Sequence, residues 1–193
     1  MTFLDQLEQI DGNLLIGIQH TLNADWLTPI MKVITSFGNY GWFAILICLI
    51  LIACKKTRRL GIVCAASVLL TFICCTGILK PLVDRARPWE VFSGVNPLIP
   101  DPGDASFPSG HASNTMSIAF SLWLNTLDEK KERLHKLGIG LIVFALLIGL
   151  SRLYMGVHFP SDVIAGILTA LICSQIIYII NRKYSTKNGI INE

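Results

Sequence analysis

The stretch Leu60–Leu79, LGIVCAASVLLTFICCTGIL, runs for 20 residues without a charge. At ~1.5 Å per helical residue it spans a hydrocarbon layer ~30 Å thick. Four further apolar runs flank it: about Gly38–Cys54, His111–Leu127, Leu137–Leu150 and Val163–Ile180. The last two and Gly38–Cys54 are nearly charge-free. The His111 run carries Ser113, Asn114, Ser117 and Ser121, so it should face other helices rather than lipid. Five such runs in 193 residues argue against the competing reading, a soluble helical core. Composition agrees, with 15% charged residues against roughly 25% in soluble domains, and 52% hydrophobic. The predicted fold class is all-α, a multi-pass transmembrane helical bundle with five firm spans. It forms a single domain over residues 1–193, in which 38–181 make the bundle and 182–193 a cytoplasmic tail.

Residues 1–37 read differently. Apolar positions alternate with Asp5, Glu8 and Asp11 over residues 3–22, which suggests an amphipathic helix in the interface or a sixth crossing. Asp25 and Pro29 then interrupt the chain, and Trp26–Phe37 suits a second short helix. The opening MTFLDQLEQIDG is acidic, so no cleavable signal is expected. Trp26, Tyr40 and Trp42 fit interface anchors. The six cysteines, Cys48, Cys54, Cys64, Cys74, Cys75 and Cys173, lack C-x-x-C spacing and are expected to pack between helices.

Charge placement orients the bundle. Lys55, Lys56, Arg58 and Arg59 lie between the first and second runs; Lys130, Lys131, Arg133 and Lys136 lie between the third and fourth; Arg182, Lys183 and Lys187 follow the last. Five crossings put all three groups on one side, and an excess of Lys and Arg marks that side as cytoplasmic. Loops 80–110 and 151–162 then face outward. The net charge of +3 is too modest to argue for nucleic acid.

Three motifs fall in those outward loops. Lys80-Pro-Leu-Val-Asp-Arg-Ala-Arg87-Pro88 places three basic residues where they are usually scarce. Snorkelling is the plain explanation, and an anionic ligand is the other. Pro108-Ser-Gly-His111 directly precedes a helix, whose N-terminal N–H groups and partial positive charge hold phosphate well. An ordinary serine cap would not need the histidine. Ser151-Arg152, five residues, His158, three residues, Asp162 puts an imidazole and a carboxylate at a helix start, with Pro160 in the first turn. That spacing suits a nucleophile and its orienter, although a lone His–Asp pair is commonly structural. Short connections bring the motifs to one pocket. Lys80, Arg87 and Arg152 there match the charge of a phosphoryl group. No carboxylate or His/Cys set looks able to hold a metal, so no metal and no cofactor is expected.

Taken together, Lys80-x6-Arg87-Pro88, Pro108-Ser-Gly-His111 and Ser151-Arg152-x5-His158-x3-Asp162 resemble the three-part signature of the type-2 phosphatidate phosphatase superfamily, which also includes vanadium haloperoxidases. The resemblance covers about residues 38–181. It implies that His158 attacks phosphorus, Asp162 orients it, and His111 protonates the leaving oxygen and then activates water. It further implies that Lys80, Arg87, Ser109, Gly110 and Arg152 bind the phosphoryl oxygens. The expected partners are a lipid phosphate or diphosphate substrate and membrane lipids, with oligomeric state open. The small size resembles bacterial members that convert undecaprenyl diphosphate to undecaprenyl phosphate. Phosphatidate, phosphatidylglycerol phosphate and diacylglycerol diphosphate are alternatives, and a non-catalytic transporter or phosphate-binding protein is the alternative of a different class. His20 and His135 match no motif, and His135 is expected to be solvated. Loop 90–107, with Trp89, reads as a lid or an ordered surface loop.

Overall fold

The computed structural model describes residues 3–127 and 132–187, with side chains from residue 6 onward. Lys130, Lys131, the Asp5 side chain and the end of the predicted tail lie outside the described residues. The elements are all helical: α1 Phe3–Leu22, α2 Leu27–Ser36, α3 Trp42–Ala53, α4 Arg58–Phe72, α5 Lys80–Val83, α6 Pro88–Val91, α7 Gly110–Leu124, α8 Glu132–Tyr154 and α9 Pro160–Lys187. A π-helical stretch, Ile73–Leu79, joins α4 to α5.

Three described helical runs are long and apolar enough to cross a membrane: Arg58–Val91, Glu132–Tyr154 and Pro160–Lys187. They contain three of the five predicted spans. Gly38–Cys54 falls within a fourth candidate, α2 with Asn39–Ala53, which is bent by 42°. The His111–Leu127 run does not qualify, because α7 has only 15 residues. Its polarity has the predicted cause, however: it is enclosed by protein. Eleven of the 15 residues of α7 are buried, and α4, α8 and α9 pack around it.

Hydroxyls line one flank of α7 at four-residue spacing, the period that keeps side chains on one helix face. Ser121 Oγ lies 3.0 Å from Ser67 Oγ, Ser117 Oγ accepts from Thr71 Oγ1 at 3.0 Å, and Ser174 Oγ lies 3.4 Å from Ser117 Oγ. Such bonds hold helices together where apolar contact alone gains nothing over lipid. Between them sit the apolar contacts of Ile118 and Leu122 with Ala44, Cys48 and Cys64, and of Met116 and Ala119 with Ala145 and Ala170.

The N-terminal helix is amphipathic in an unexpected sense. Asp11, Leu15 and Gln19, on one face, are buried against the protein, while Leu7, Ile10 and Leu14 are exposed. Gln19 donates to the Asn96 and Tyr154 carbonyls at 2.9 and 3.2 Å. Leu15 packs with Val95 and Phe159. The tight turn between α8 and α9 brings the chain close beneath α1. Gly156, at φ +69°, has no room for a side chain, since a Cβ would lie 2.6 Å from Gln19 Nε2.

At the end of the bundle away from this turn, Arg59 from the first of the three predicted basic groups meets the segment that carries the third, donating to Asn181 at 3.2 Å and to Ser185. Two sequence expectations change. His135 is only partly solvated: it lies in the first turns of α8, half-buried, with its ring 5.9 Å from that of Trp123. Cys54 is exposed at the end of α3, whereas Cys48, Cys64, Cys75 and Cys173 are buried as expected.

Candidate active site

Four helix ends meet at the turn-side end of the bundle: the end of the α4–α6 run, the start of α7, the end of α8 and the start of α9. Each motif is carried by one or two of them. Ser109 caps α7, its Oγ accepting from Ala112 N at 3.5 Å. Its own N–H donates to the Asp162 carbonyl at 3.0 Å, which joins the second motif to the third. Gly110 stands beside open space, so a ligand can approach the backbone there.

His158 is buried, 2% exposed, just before Pro160. Its Nε2 lies 3.3 Å from Arg87 Nη1, and its Nδ1 lies 3.5 Å from Asp162 Oδ2. A guanidinium can only donate, so Nε2 is the acceptor and the ring proton belongs on Nδ1, facing the carboxylate. That tautomer leaves a lone pair on Nε2, on the cationic side. Burial pushes the imidazole down to about 4, with Asp162 opposing the shift. His158 is therefore uncharged at neutral pH.

Asp162 is fully buried and well supplied with donors. Oδ2 accepts from Ser106 Oγ at 2.5 Å and Phe159 N at 2.9 Å, and Oδ1 accepts from Arg85 Nη1 at 2.7 Å. His111, at the first turn of α7, has Nε2 2.9 Å from Asn39 Oδ1. Gly38 packs against its ring so closely that a Cβ would lie 2.4 Å from Cδ2.

The three predicted cations are all buried: Lys80 7% exposed, Arg87 3% and Arg152 1%. Arg152 Nη1 donates to Thr35 Oγ1 at 2.8 Å, while its Nε has no partner. Its charge, with those of Arg87 and Lys80, acts on the His111 ring. Lys80 and Arg87 converge on one residue of loop 90–107. Asp104 Oδ2 accepts from Lys80 Nζ at 2.5 Å, Oδ1 accepts from Arg87 Nη2, and the Asp104 carbonyl accepts from Arg87 Nε at 2.9 Å. Burial pushes the Asp104 carboxyl up, but the two cations together hold it below the ordinary range. A carboxylate thus sits where the sequence places phosphoryl oxygens.

All eight predicted site residues lie at this end of the bundle. Asp11, Thr35, Asn39, Arg85, Asp104, Ser106 and Ser161 had no assigned role, and they supply most of the supporting contacts. Three had a visible signal: Arg85 is the third basic residue of the first motif, Asp104 lies in the loop read as a lid, and Asp11 interrupts an apolar face.

The PAP2 superfamily model matches residues 60–185, about two thirds of the chain. The chain is 29% identical over 150 residues to the undecaprenyl-diphosphatase of Bacillus subtilis (strain 168), covering 76% of this chain and 70% of that protein. It is 34% identical over 141 residues to an undecaprenyl-diphosphatase of Sulfolobus acidocaldarius, covering 72% of this chain and 64% of the other. The second match thus takes in slightly less than two thirds of the relative. Among solved structures, the PAP2-type phosphatidylglycerolphosphate phosphatase of Bacillus subtilis superposes with a TM-score of 0.71 at 25% identity. That superposition covers 92% of this chain and 87% of the other. These relatives bear phosphatase or diphosphatase names, and the chain is an enzyme of that class, a phosphoric ester or anhydride hydrolase. The family model takes in all three motifs, from Lys80 to Asp162, and the chain belongs to the PAP2 superfamily.

Proposed function

We propose that this enzyme removes a phosphate from a membrane lipid diphosphate, undecaprenyl diphosphate giving undecaprenyl phosphate, through a phosphohistidine on His158 and without a metal. The observation that carries the reading is the line Asp162–His158–Arg87, which points an unprotonated Nε2 at a cluster of buried cations. In the first step Nε2 attacks the terminal phosphorus. A P–N bond forms, the P–O bond to the lipid-side phosphate breaks, and His111 gives that oxygen a proton. Asp162 stabilises the charge that develops on the imidazole. In the second step His111 takes a proton from water, whose oxygen attacks phosphorus and releases His158 and inorganic phosphate.

Lys80, Arg87 and Arg152 hold the phosphoryl oxygens, and the Ser109–Gly110 helix start adds N–H donors. Three cations and a helix N-terminus supply, in fixed form, the charge neutralisation phosphoryl transfer requires. Asp104 leaves Lys80 and Arg87 when substrate arrives.

The sided charge supports five crossings, with α7 as the short, protein-enclosed one and the site at the outer face of the plasma membrane. Undecaprenyl diphosphate is favoured by the two diphosphatase relatives. Phosphatidylglycerol phosphate is the second reading, favoured by the structural relative. Phosphate release from both lipids, measured with purified protein in chelator, separates them. Turnover abolished by chelator refutes metal independence, and wild-type turnover by His158→Ala refutes the mechanism.

A further inference from the structure

Arg85 takes no part in the phosphate cluster, yet it is among the most constrained side chains at this end of the molecule. Its Nη1 donates to Asp162 Oδ1 and to Ser161 Oγ, each at 2.7 Å, and its Nη2 donates to Asp11 Oδ2 at 2.9 Å. Its Cζ lies 3.8 Å above the Phe159 ring. Asp11 in turn accepts from Ser161 N at 3.0 Å and from Ser161 Oγ. The two side chains are largely buried, 16% and 10% exposed.

The oxygens of Asp162 divide their work. Oδ2 faces His158 Nδ1 and takes Ser106 and Phe159 N, while Arg85 is the side chain on Oδ1. A carboxylate turns about its terminal torsion unless both oxygens are held. Arg85 holds the second one, and Asp11 holds Arg85 from the opposite side. Asp11 belongs to α1, outside the residues matched by the family model.

We infer that Arg85 and Asp11 are positioning residues for the reaction: through them the N-terminal helix fixes the Asp162 carboxylate, and hence the attacking face of His158. The inference rests on the proposed role of Asp162 as orienter of His158. Neither residue reaches the phosphoryl pocket, so their loss should slow the chemical step and leave substrate binding alone.

The test is a double-mutant cycle in full-length protein, measured as phosphate release. Arg85→Ala should lower kcat about 10- to 100-fold with KM changed less than about threefold, the scale expected when a supporting contact is lost and the reacting group is misplaced. In an Asp162→Asn background the same substitution should cost less than about twofold, because there is no longer a carboxylate to hold. A purely structural role would cost as much in both backgrounds and would overturn the inference.

Arg85 lines an open groove of about 500 Å³ with Asp11, Leu14 and Phe107, which gives small cations access. Added guanidinium should therefore restore turnover to Arg85→Ala, an outcome an unfolded variant would not give. Asp11→Asn should show the same kcat-specific loss, smaller than that of Arg85→Ala, since Asp162 and Ser161 still hold the guanidinium. Wild-type kcat in both Arg85→Ala and Asp11→Asn refutes the inference alone, provided His158→Ala is inactive. Wild-type activity in His158→Ala refutes the mechanism beneath it.

Discussion

Replacing Asp104 by Asn should tighten the binding of phosphate-like inhibitors. In the free enzyme the Asp104 carboxylate engages Lys80 and Arg87, two of the three cations assigned to the substrate. Substrate and Asp104 therefore compete, and removing the charge relieves the competition. The side chain of Asp104 is 48% exposed, so solvent screens both contacts. Each is then worth about 0.5–1 kcal/mol, or about 1–2 kcal/mol for the pair. At ~1.4 kcal/mol per tenfold this is a factor of about 5–30. The assay is inhibition of phosphate release by orthovanadate, a mimic of the five-coordinate phosphorus in the transition state. The inhibition constant of Asp104→Asn should fall by that factor, and KM should fall with it. An unchanged or higher constant would refute the reasoning. It would mean that Asp104 remains beside the bound phosphate and holds the two cations in place.

Three further outcomes follow from the same geometry. Gly38→Ala drives a methyl group into the His111 ring and should break its contact with Asn39, lowering turnover about 10- to 100-fold; with a substrate whose leaving group needs no proton, trapped phosphoenzyme should accumulate, and a wild-type rate would contradict the placement of His111. Gly166→Ala puts a Cβ 2.6 Å from the Ser109 carbonyl, which is backbone and must shift, so thermal unfolding in detergent should show a loss of about 1–3 kcal/mol together with weaker orthovanadate binding. His158 is held near 4, below its ordinary 6.5, so the nucleophile gains its proton only when pH falls through about 4; with a substrate whose leaving group needs no proton from His111, phosphoenzyme formation should stay level down to about pH 5, and an acid limb at 6.5 would contradict the burial.

The sequence revealed the ends of the site better than its supports. Lys80, Arg87, Ser109, Arg152, His158 and Asp162 announce themselves because each is a polar or charged residue at the edge of an apolar run, where its cost needs a reason. The pairing of His158 with Asp162 follows from their closeness around a helix start, His158 just before Pro160 and Asp162 in the first turn of α9. The supports come from distant segments: Thr35 contacts Arg152 across 117 positions, Asn39 contacts His111 across 72, and Asp11 contacts Ser161 across 150. No periodicity within a window carries such pairings. Among the described residues the five-span count is matched only in part, for a related reason. The length rule assumes a helix faces lipid; α7 faces protein and has only 15 residues, so length and composition alone do not mark it as a span.

That enclosure bears on how the enzyme comes into being during synthesis. A helix of 15 residues with hydroxyls along one flank is short for a hydrocarbon layer ~30 Å thick. It can be held only by partners on both sides of it in the chain, α4 made before it and α8 and α9 made after. Ser109, which caps it, is pinned by the carbonyl of Asp162 in α9, made well after it. The phosphate cradle therefore exists only once α9 has docked. A chain that has not yet docked α9, even one already embedded in the membrane, offers a phosphate ester no assembled site, and hydrolysis becomes a readout of assembly.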